Sequence, residues 1–391
     1  MAATSLEIAQ ALIRCPSVTP EEGGALDYMQ QLLEEGGYTC HRLPFTDNET
    51  PDVDNLFARF GTGSPHLCFA GHTDVVPPGD EAAWTHPPFS GHVDDGWLYG
   101  RGAADMKGNI ACFISAARDY LAAREGASPG SISFLITGDE EGPAINGTRK
   151  VLEWMAANGH VPDHCIVGEP SASKKVGDTI RIGRRGSLSG HIVVSGVQGH
   201  TAYPELANNP VPGMLDVLNA FLADPLDDGT AHFSPSDLQI TAIDVGNSAT
   251  NVIPAKVSAS FNIRFNANHS AQSLKEILLR KIETALEGTG LEHQINYQPA
   301  SECFITEPGP LIDLMAEAAR DETGITPEQS TGGGTSDARF VKDYSPVIEF
   351  GLVNATIHQI NERIETQDLD TLTRIYQGFI ERYFAAFGKE T

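Results

Sequence analysis

The sequence predicts an α/β protein: a mostly parallel-sheet domain interrupted by a smaller α+β insert. Three observations predict it. In residues 1–178 and again in 298–391, short unbroken apolar runs alternate with helical patterns. Strands buried on both faces read that way, and parallel strands need helical crossovers between them. Between 179 and 297 the runs give way to two-residue alternation, the pattern of an antiparallel sheet with one solvated face. A chain of 391 residues is also long for a single core.

Residues 4–14 place Leu6, Ala9, Leu12 and Ile13 on one helical face, and 25–33 form a second helix. Residues 67–70 are a buried strand ending at His72, followed by a helix over 110–121. A strand over 132–136 ends near Glu140, a helix follows over 148–157, and a strand over 165–167 ends at Glu169. In the insert, strands are expected over 188–194, 238–245 and 257–265, and helices over 211–222 and 274–286. The first pattern then resumes with a helix over 311–320, a strand over 347–350 and a closing helix over 369–387. Ligands of such sheets bind beyond the carboxyl ends of the strands. The acidic and histidine candidates fall there.

Acidic residues exceed basic ones, 52 to 26, for a net charge of −26. That excess disfavours nucleic acid and anionic membranes as partners, and an anionic substrate would need locally placed arginines. No apolar run approaches the length of a membrane span. The amino terminus lacks a basic, then apolar leader, and none of the six cysteines forms a C-x-x-C pair. A reducing cytoplasm is the expected compartment, with Cys68, Cys112 and Cys165 as small buried residues.

The chemistry-bearing residues form a series. Gly71-His72-Thr73-Asp74-Val75-Val76-Pro77 holds a His and an Asp one strand step apart. His72 reads as a metal ligand with Asp74 behind it, or as a satisfied His at a capped strand end. Asp105, in Gly100-Arg101-Gly102-Ala103-Ala104-Asp105-Met106-Lys107-Gly108, reads as a helix cap or as a bridging carboxylate. Glu140 and Glu141 are adjacent acids that repel unless a cation sits nearby. One can bind metal while the other acts as general base; a solvated acidic turn is the alternative. Glu169 and His358 are weak singly, but with the others they make a donor set suited to two borderline divalent ions. In the insert, His200 is a candidate donor to an oxyanion or an ordinary loop His. Arg181, Arg184, Arg185 and Arg264 are candidate anion clamps, and Gly332-Gly333-Gly334-Thr335-Ser336-Asp337 is a loop able to cradle an anion.

These motifs together resemble the dizinc M20 metallopeptidase and deacylase family across essentially the whole chain. The narrower matches are Asp139-Glu140-Glu141-Gly142-Pro143, residues 199–210, Gly333-Gly334-Thr335-Ser336-Asp337 and Asn354-Ala355-Thr356-Ile357-His358. The resemblance implies two zinc ions per subunit, with cobalt able to substitute. His72 and Glu169 would hold one, Glu141 and His358 the other, and Asp105 would bridge them. Glu140 would be the general base, Asp74 would orient His72, and His200 would come from the other subunit of a homodimer to stabilise the oxyanion. Arg184, Arg264, Thr335, Asn354 and a partner-chain Asn251 would grip a small anionic substrate. The implied reaction is hydrolysis of a linear amide, freeing succinate from an N-succinylated diamino acid in bacterial lysine and cell-wall precursor synthesis. The implied domains are a discontinuous catalytic one, 1–178 with 298–391, and a dimerisation or lid domain, 179–297. Another acyl-amino-acid deacylase or dipeptidase of the family, and a metal-dependent binding protein without catalysis, are the rival expectations.

Overall fold

The computed structural model describes residues 3–388. They divide into two compact units. One comprises the chain up to Ile182, Thr306–Ser330 and the chain from Ser336; the other comprises Gly183–Ile305 and Thr331–Thr335.

The larger unit is built on an eight-stranded sheet. Its order is Thr39–Arg42, Leu56–Phe60, Ser131–Thr137, His66–His72, His164–Val167, Val347–Glu349, Thr179–Arg181, Glu328–Ser330. The four central strands, from Ser131–Thr137 to Val347–Glu349, run parallel. The flanking pairings of Thr39–Arg42, Leu56–Phe60 and Thr179–Arg181 to their inner neighbours are antiparallel. The two leading strands are not evident in the sequence. Thr39–Arg42 reads Thr-Cys-His-Arg, with neither an apolar run nor clean alternation.

Every residue of His66–His72 and Ser131–Thr137 is buried, because helices cover the sheet. Gly108–Ala122 and Thr366–Phe387 bring Phe113 and Tyr376 against Phe69, with the Phe69 and Phe113 rings stacked at 4.5 Å. Each fully buried Phe of this kind contributes roughly 1.5–3 kcal/mol of transfer free energy. The packing leaves no room at Gly168, where an added Cβ would lie 2.2 Å from Phe69 Cζ. Ser5–Ile13 begins with a capping box in which Thr4 and Glu7 satisfy each other's backbone N–H groups. A separate three-stranded sheet pairs Arg363–Glu365 with Trp97–Tyr99 and that strand with His92–Asp94. It places the chain just before Arg363 alongside the chain just after Tyr99.

The smaller unit has a four-stranded antiparallel sheet in the order Asp237–Asp244, Lys256–Phe265, Gly186–Ser195, Glu292–Tyr297. Burial alternates along Lys256–Phe265, and its inward face packs with Pro210–Leu222 and Ala271–Leu286 around Phe221, Phe261 and Leu278. Glu292–Tyr297 is a polar edge strand that the sequence does not announce. The junctions expected near 179 and 297 lie at 182/183 and 305/306. Thr179–Arg181 pairs inside the larger sheet, whereas Phe304–Ile305 pairs with Gly183–Arg184 in the smaller unit. No described helix is long and apolar enough to cross a membrane.

Candidate metal centre

His72 is the last residue of the central strand His66–His72. Glu140 and Glu141 follow Ser131–Thr137, and Glu169 follows His164–Val167. Since these three strands are parallel, all four residues emerge at one edge of the sheet. Asp105 reaches the same edge through the tight turn after Gly100. Gly102 there has φ +85°, and a Cβ on it would stand 2.8 Å from Val75 Cγ1. Met106 then fills the space left by Gly71, where a Cβ would meet its Cε at 2.5 Å, and so packs the turn onto the strand. His358 lies in the loop after Val347–Glu349, with φ +60°.

The two carboxylate oxygens of Asp105 face different imidazoles. Oδ1 is 3.2 Å from His72 Nε2, and Oδ2 is 3.4 Å from His358 Nε2. His72 Nε2 is also 4.0 Å from Glu169 Oε1, and His358 Nε2 is 2.7 Å from Glu141 Oε1. Among the described residues, three groups of potential ligand atoms result: His72, Asp105, Glu169; Asp105, Glu141, His358; and His72, Glu140, Glu141. Ligands about 2.0–2.1 Å from a tetrahedral ion lie about 3.4 Å apart. The two Asp105–His separations suit that spacing, and the donor set of imidazole and carboxylate suits a borderline divalent cation. The residues therefore fit a pair of ions with Asp105 common to both.

Electrostatics point the same way. Burial, then the charge of Glu169, pushes the Glu140 carboxyl well above the usual carboxylate range. Burial would lower the His72 imidazole, yet its hydrogen bond to Asp105 and the charges of Glu140, Asp105 and Asp74 hold it well above its ordinary value. Hydrogen bonds to Asp105 and Glu141 raise His358 to about 10. Burial raises Asp105, but its hydrogen bonds to His358 and His72 outweigh that and leave it lowered. The same surroundings that favour positive charge on the imidazoles would favour cations set between them and the carboxylates.

Asp74 is placed differently from the simplest expectation. His72 Nδ1 is hydrogen-bonded to the backbone carbonyl of Asp74 at 2.9 Å, while the Asp74 carboxylate stands 3.6 Å away. That carboxylate accepts from the backbone N–H groups of Glu140 and Glu141 at 3.3 and 3.0 Å. Burial pushes its pKa up to about 6. Asp74 thus ties the imidazole to the Glu140–Glu141 turn, a double contact that spacing alone does not reveal.

Asn354 is half-buried in the loop leading to His358, its N–H donating to Ala172 O at 3.0 Å. The remaining candidates belong to the smaller unit. His200 and Asn251 are both exposed and sit on one two-stranded ladder: His200 pairs with Val252, and Thr201 N–H donates to Asn251 O at 3.0 Å. Arg184 is buried and donates to Gly332 O at 3.0 Å, so the glycine loop presents a carbonyl to it. Arg264, half-buried, pairs in register with Ser187, and Thr335 is half-buried at the end of the glycine loop. Sequence reasoning gave no role to Arg101 and Glu362, a buried ion pair beside this site. Arg101 sits between Gly100 and Gly102 of its motif and Glu362 four residues after His358, which is the only local signal.

The model for peptidase family M20/M25/M40 matches residues 68–382. A succinyl-diaminopimelate desuccinylase of Rhodopseudomonas palustris is 56% identical over 389 residues, covering 98% of this chain and 99% of the relative. Among solved structures, aminopeptidase PepT of Bacillus cereus is similar with a TM-score of 0.78 at 19% identity, covering 97% of each chain. A dinuclear metal-binding M20 peptidase of Bacillus subtilis is similar with a TM-score of 0.71 at 18% identity, covering 96% of each chain. With a family match running from the strand that ends at His72 to the closing helix, the chain belongs to peptidase family M20/M25/M40 and is a hydrolase.

Proposed function

We propose that the protein hydrolyses N-succinyl-L,L-2,6-diaminopimelate to succinate and L,L-2,6-diaminopimelate, in the cytoplasmic route to lysine and peptidoglycan precursors. The observation that carries the hydrolytic chemistry is the division of Asp105 between two ligand groups with Glu140 alongside. The substrate follows from near-complete similarity to desuccinylases. His72, Asp105 and Glu169 would hold one ion, and Asp105, Glu141 and His358 the other. Zinc at both positions, with cobalt able to replace it, suits these donors.

When bound, the two cations supply Lewis-acid polarisation of the amide carbonyl and acidification of water. Glu140 accepts the proton of the attacking water. Glu140 then passes that proton to the leaving nitrogen. Asp74 keeps both parts in place, since its backbone oxygen fixes the His72 imidazole and its carboxylate fixes the Glu140 backbone.

We assign the smaller unit the role of dimerisation and lid domain. Val197, Tyr203 and Leu206, which flank His200, are 55, 58 and 73% exposed, and the edge strand Asp237–Asp244 carries Ile243 at 54%. Apolar side chains on an open edge favour a second copy as cover. His200 Nδ1 accepts from Ala202 N–H at 3.0 Å, which leaves the proton on Nε2 as a donor for an oxyanion. Asn251 rides on the same ladder, so both would reach the partner's site together. Burial, then the neighbouring Arg185, disfavours charge on Arg264, a cost that a bound substrate carboxylate relieves. Arg184, Thr335 and Asn354 complete the proposed grip.

The test is turnover of N-succinyl-L,L-diaminopimelate and N-acetylornithine by zinc-reconstituted protein. Faster cleavage of acetylornithine would remove the substrate assignment. For the dimer, His200→Ala and Glu140→Ala proteins are mixed and allowed to exchange subunits. Each heterodimer then has one site with neither defect, and activity returns, up to about half the wild-type value per heterodimer. Exchange without recovery rules out action of His200 across subunits.

A further inference from the structure

Arg101 and Glu362 form an ion pair in the larger unit with almost no exposure, 2% and 0%. Arg101 Nη1 is 2.7 Å from Glu362 Oε2. A buried pair of this kind is poor evidence for stability, because desolvating two charges offsets most of their attraction. What distinguishes this one is where its other hydrogen bonds go.

The Glu362 carboxylate accepts three backbone N–H groups of one turn: Gly102 at 3.1 Å, Ala104 at 2.9 Å and Asp105 at 3.2 Å. Glu362 also receives the Gly100 N–H on its own carbonyl at 3.0 Å. Arg101 donates in the opposite direction. Its Nη1 reaches Gln359 O at 3.2 Å, and its Nη2 reaches both His358 O and Pro77 O at 3.4 Å. The guanidinium lies over Trp84, 5.4 Å from the ring centroid. Three chain segments therefore meet on one ion pair: the segment after His72, the Asp105 turn and the His358 loop. Neither side chain occupies a ligand position.

The His358 loop has particular need of such a tie. His358 and Asn361 have φ values of +60° and +61°, a left-handed conformation that is uncommon for residues other than glycine, though Asn and His adopt it more readily than most. Arg101 binds the carbonyls at the start of that stretch and Glu362 closes its end. His72 is fixed independently, by the Asp74 backbone carbonyl.

We propose that Arg101 and Glu362 are positioning residues for the Asp105–Glu141–His358 half of the metal centre. By binding the backbone of Asp105 and of His358 simultaneously, they set the distance and angle between those two ligands. The inference rests on the ligand reading given above.

Glu362→Gln is the informative variant. It keeps the volume and the oxygen that serves Ala104 and Asp105, but turns an amide N–H2 toward Gly102 N–H and Arg101. Metal-free wild type and variant are titrated with zinc chloride by calorimetry, and with cobalt chloride while the visible absorption of the bound ion is recorded. Loss of an outer hydrogen-bond partner typically weakens metal affinity about 10–100-fold. The expected result is a first equivalent bound within about threefold of wild type, a second bound at least about tenfold more weakly, and a changed cobalt spectrum for the second. Binding of both equivalents as in wild type with unchanged spectra overturns the proposal, as does equal weakening of both. Should Glu362→Gln fail to fold by near-ultraviolet circular dichroism, Arg101→Lys is read in the same way. Lysine keeps the charge but cannot serve Glu362 and the carbonyls together, so a folded Arg101→Lys protein with wild-type binding overturns the proposal. Wild-type protein that takes up fewer than two ions fails the ligand reading itself, before any variant is compared, and the inference falls with it.

Discussion

The two imidazoles of the candidate centre sit in contrasting surroundings. The His72 side chain is 1% exposed, at the end of a strand buried in mid-sheet; the His358 side chain is 47% exposed, on a loop with left-handed backbone. The first is oriented by a carbonyl two residues away in its own segment. The second depends on contacts made by Arg101, more than two hundred residues earlier in the chain. A ligand at a strand end comes with its geometry largely supplied by the sheet, whereas a loop ligand needs a dedicated support. The difference predicts unequal metal affinities, the His72 side binding first.

The largest effect tests whether the two halves only bind. Glu140 stands beside both, and Glu140→Gln should keep two ions per chain while turnover falls about a hundredfold or more. Loss of metal by that variant would move Glu140 into the ligand set, as the His72, Glu140, Glu141 grouping allows. Asp105→Ala comes next and should erase the distinction between the halves, weakening both ions together because each faces one oxygen of that carboxylate. A titration in which one ion binds as before would refute sharing.

A pair of single variants probes the asymmetry itself. His358→Ala should leave one tightly bound ion, whereas His72→Ala should abolish the tight class and leave weak binding only. Identical isotherms for the two would show that burial does not order the sites.

The smallest effect is on pH dependence. Its hydrogen bonds to Asp105 and Glu141 raise His358 from 6.5 to about 10. In metal-free protein, that group's contribution to stability is fully present below pH 6.5 and is lost as pH rises through about 10. The lowered Asp105 carboxyl acts at the other end, its contribution being lost on acidification. Metal uptake displaces the imidazole protons, so zinc affinity on the His358 side should climb with pH while the metal-free protein loses stability. Thermal unfolding of metal-free protein between pH 6 and 10, with proton release measured in two buffers, checks both signs. Zinc binding at neutral pH without proton release would show His358 to be already neutral.

Much of the larger unit was legible in the chain itself. The apolar runs around Phe69, Phe134 and Ile166 read as strands covered on both faces, and the position of His72, Glu140 and Glu169 just beyond them marked one edge of a sheet. The alternation in Lys256–Phe265 likewise identified the antiparallel insert. These are local signals, because burial imposes its period on consecutive residues. What the tertiary structure alone decided is nonlocal. The short strands Thr39–Arg42 and Glu292–Tyr297 have compositions that read as loop and become strands by pairing at sheet edges. The junctions of the two units follow from which sheet Thr179–Arg181 and Phe304–Ile305 join. The contact of Asp74 with Glu140 and Glu141, and that of Glu362 with the Asp105 turn, join residues dozens to hundreds of positions apart. A side chain's residue type fixes what it can donate or accept, but which backbone group lies opposite depends on how distant segments pack, and no period in the sequence encodes that.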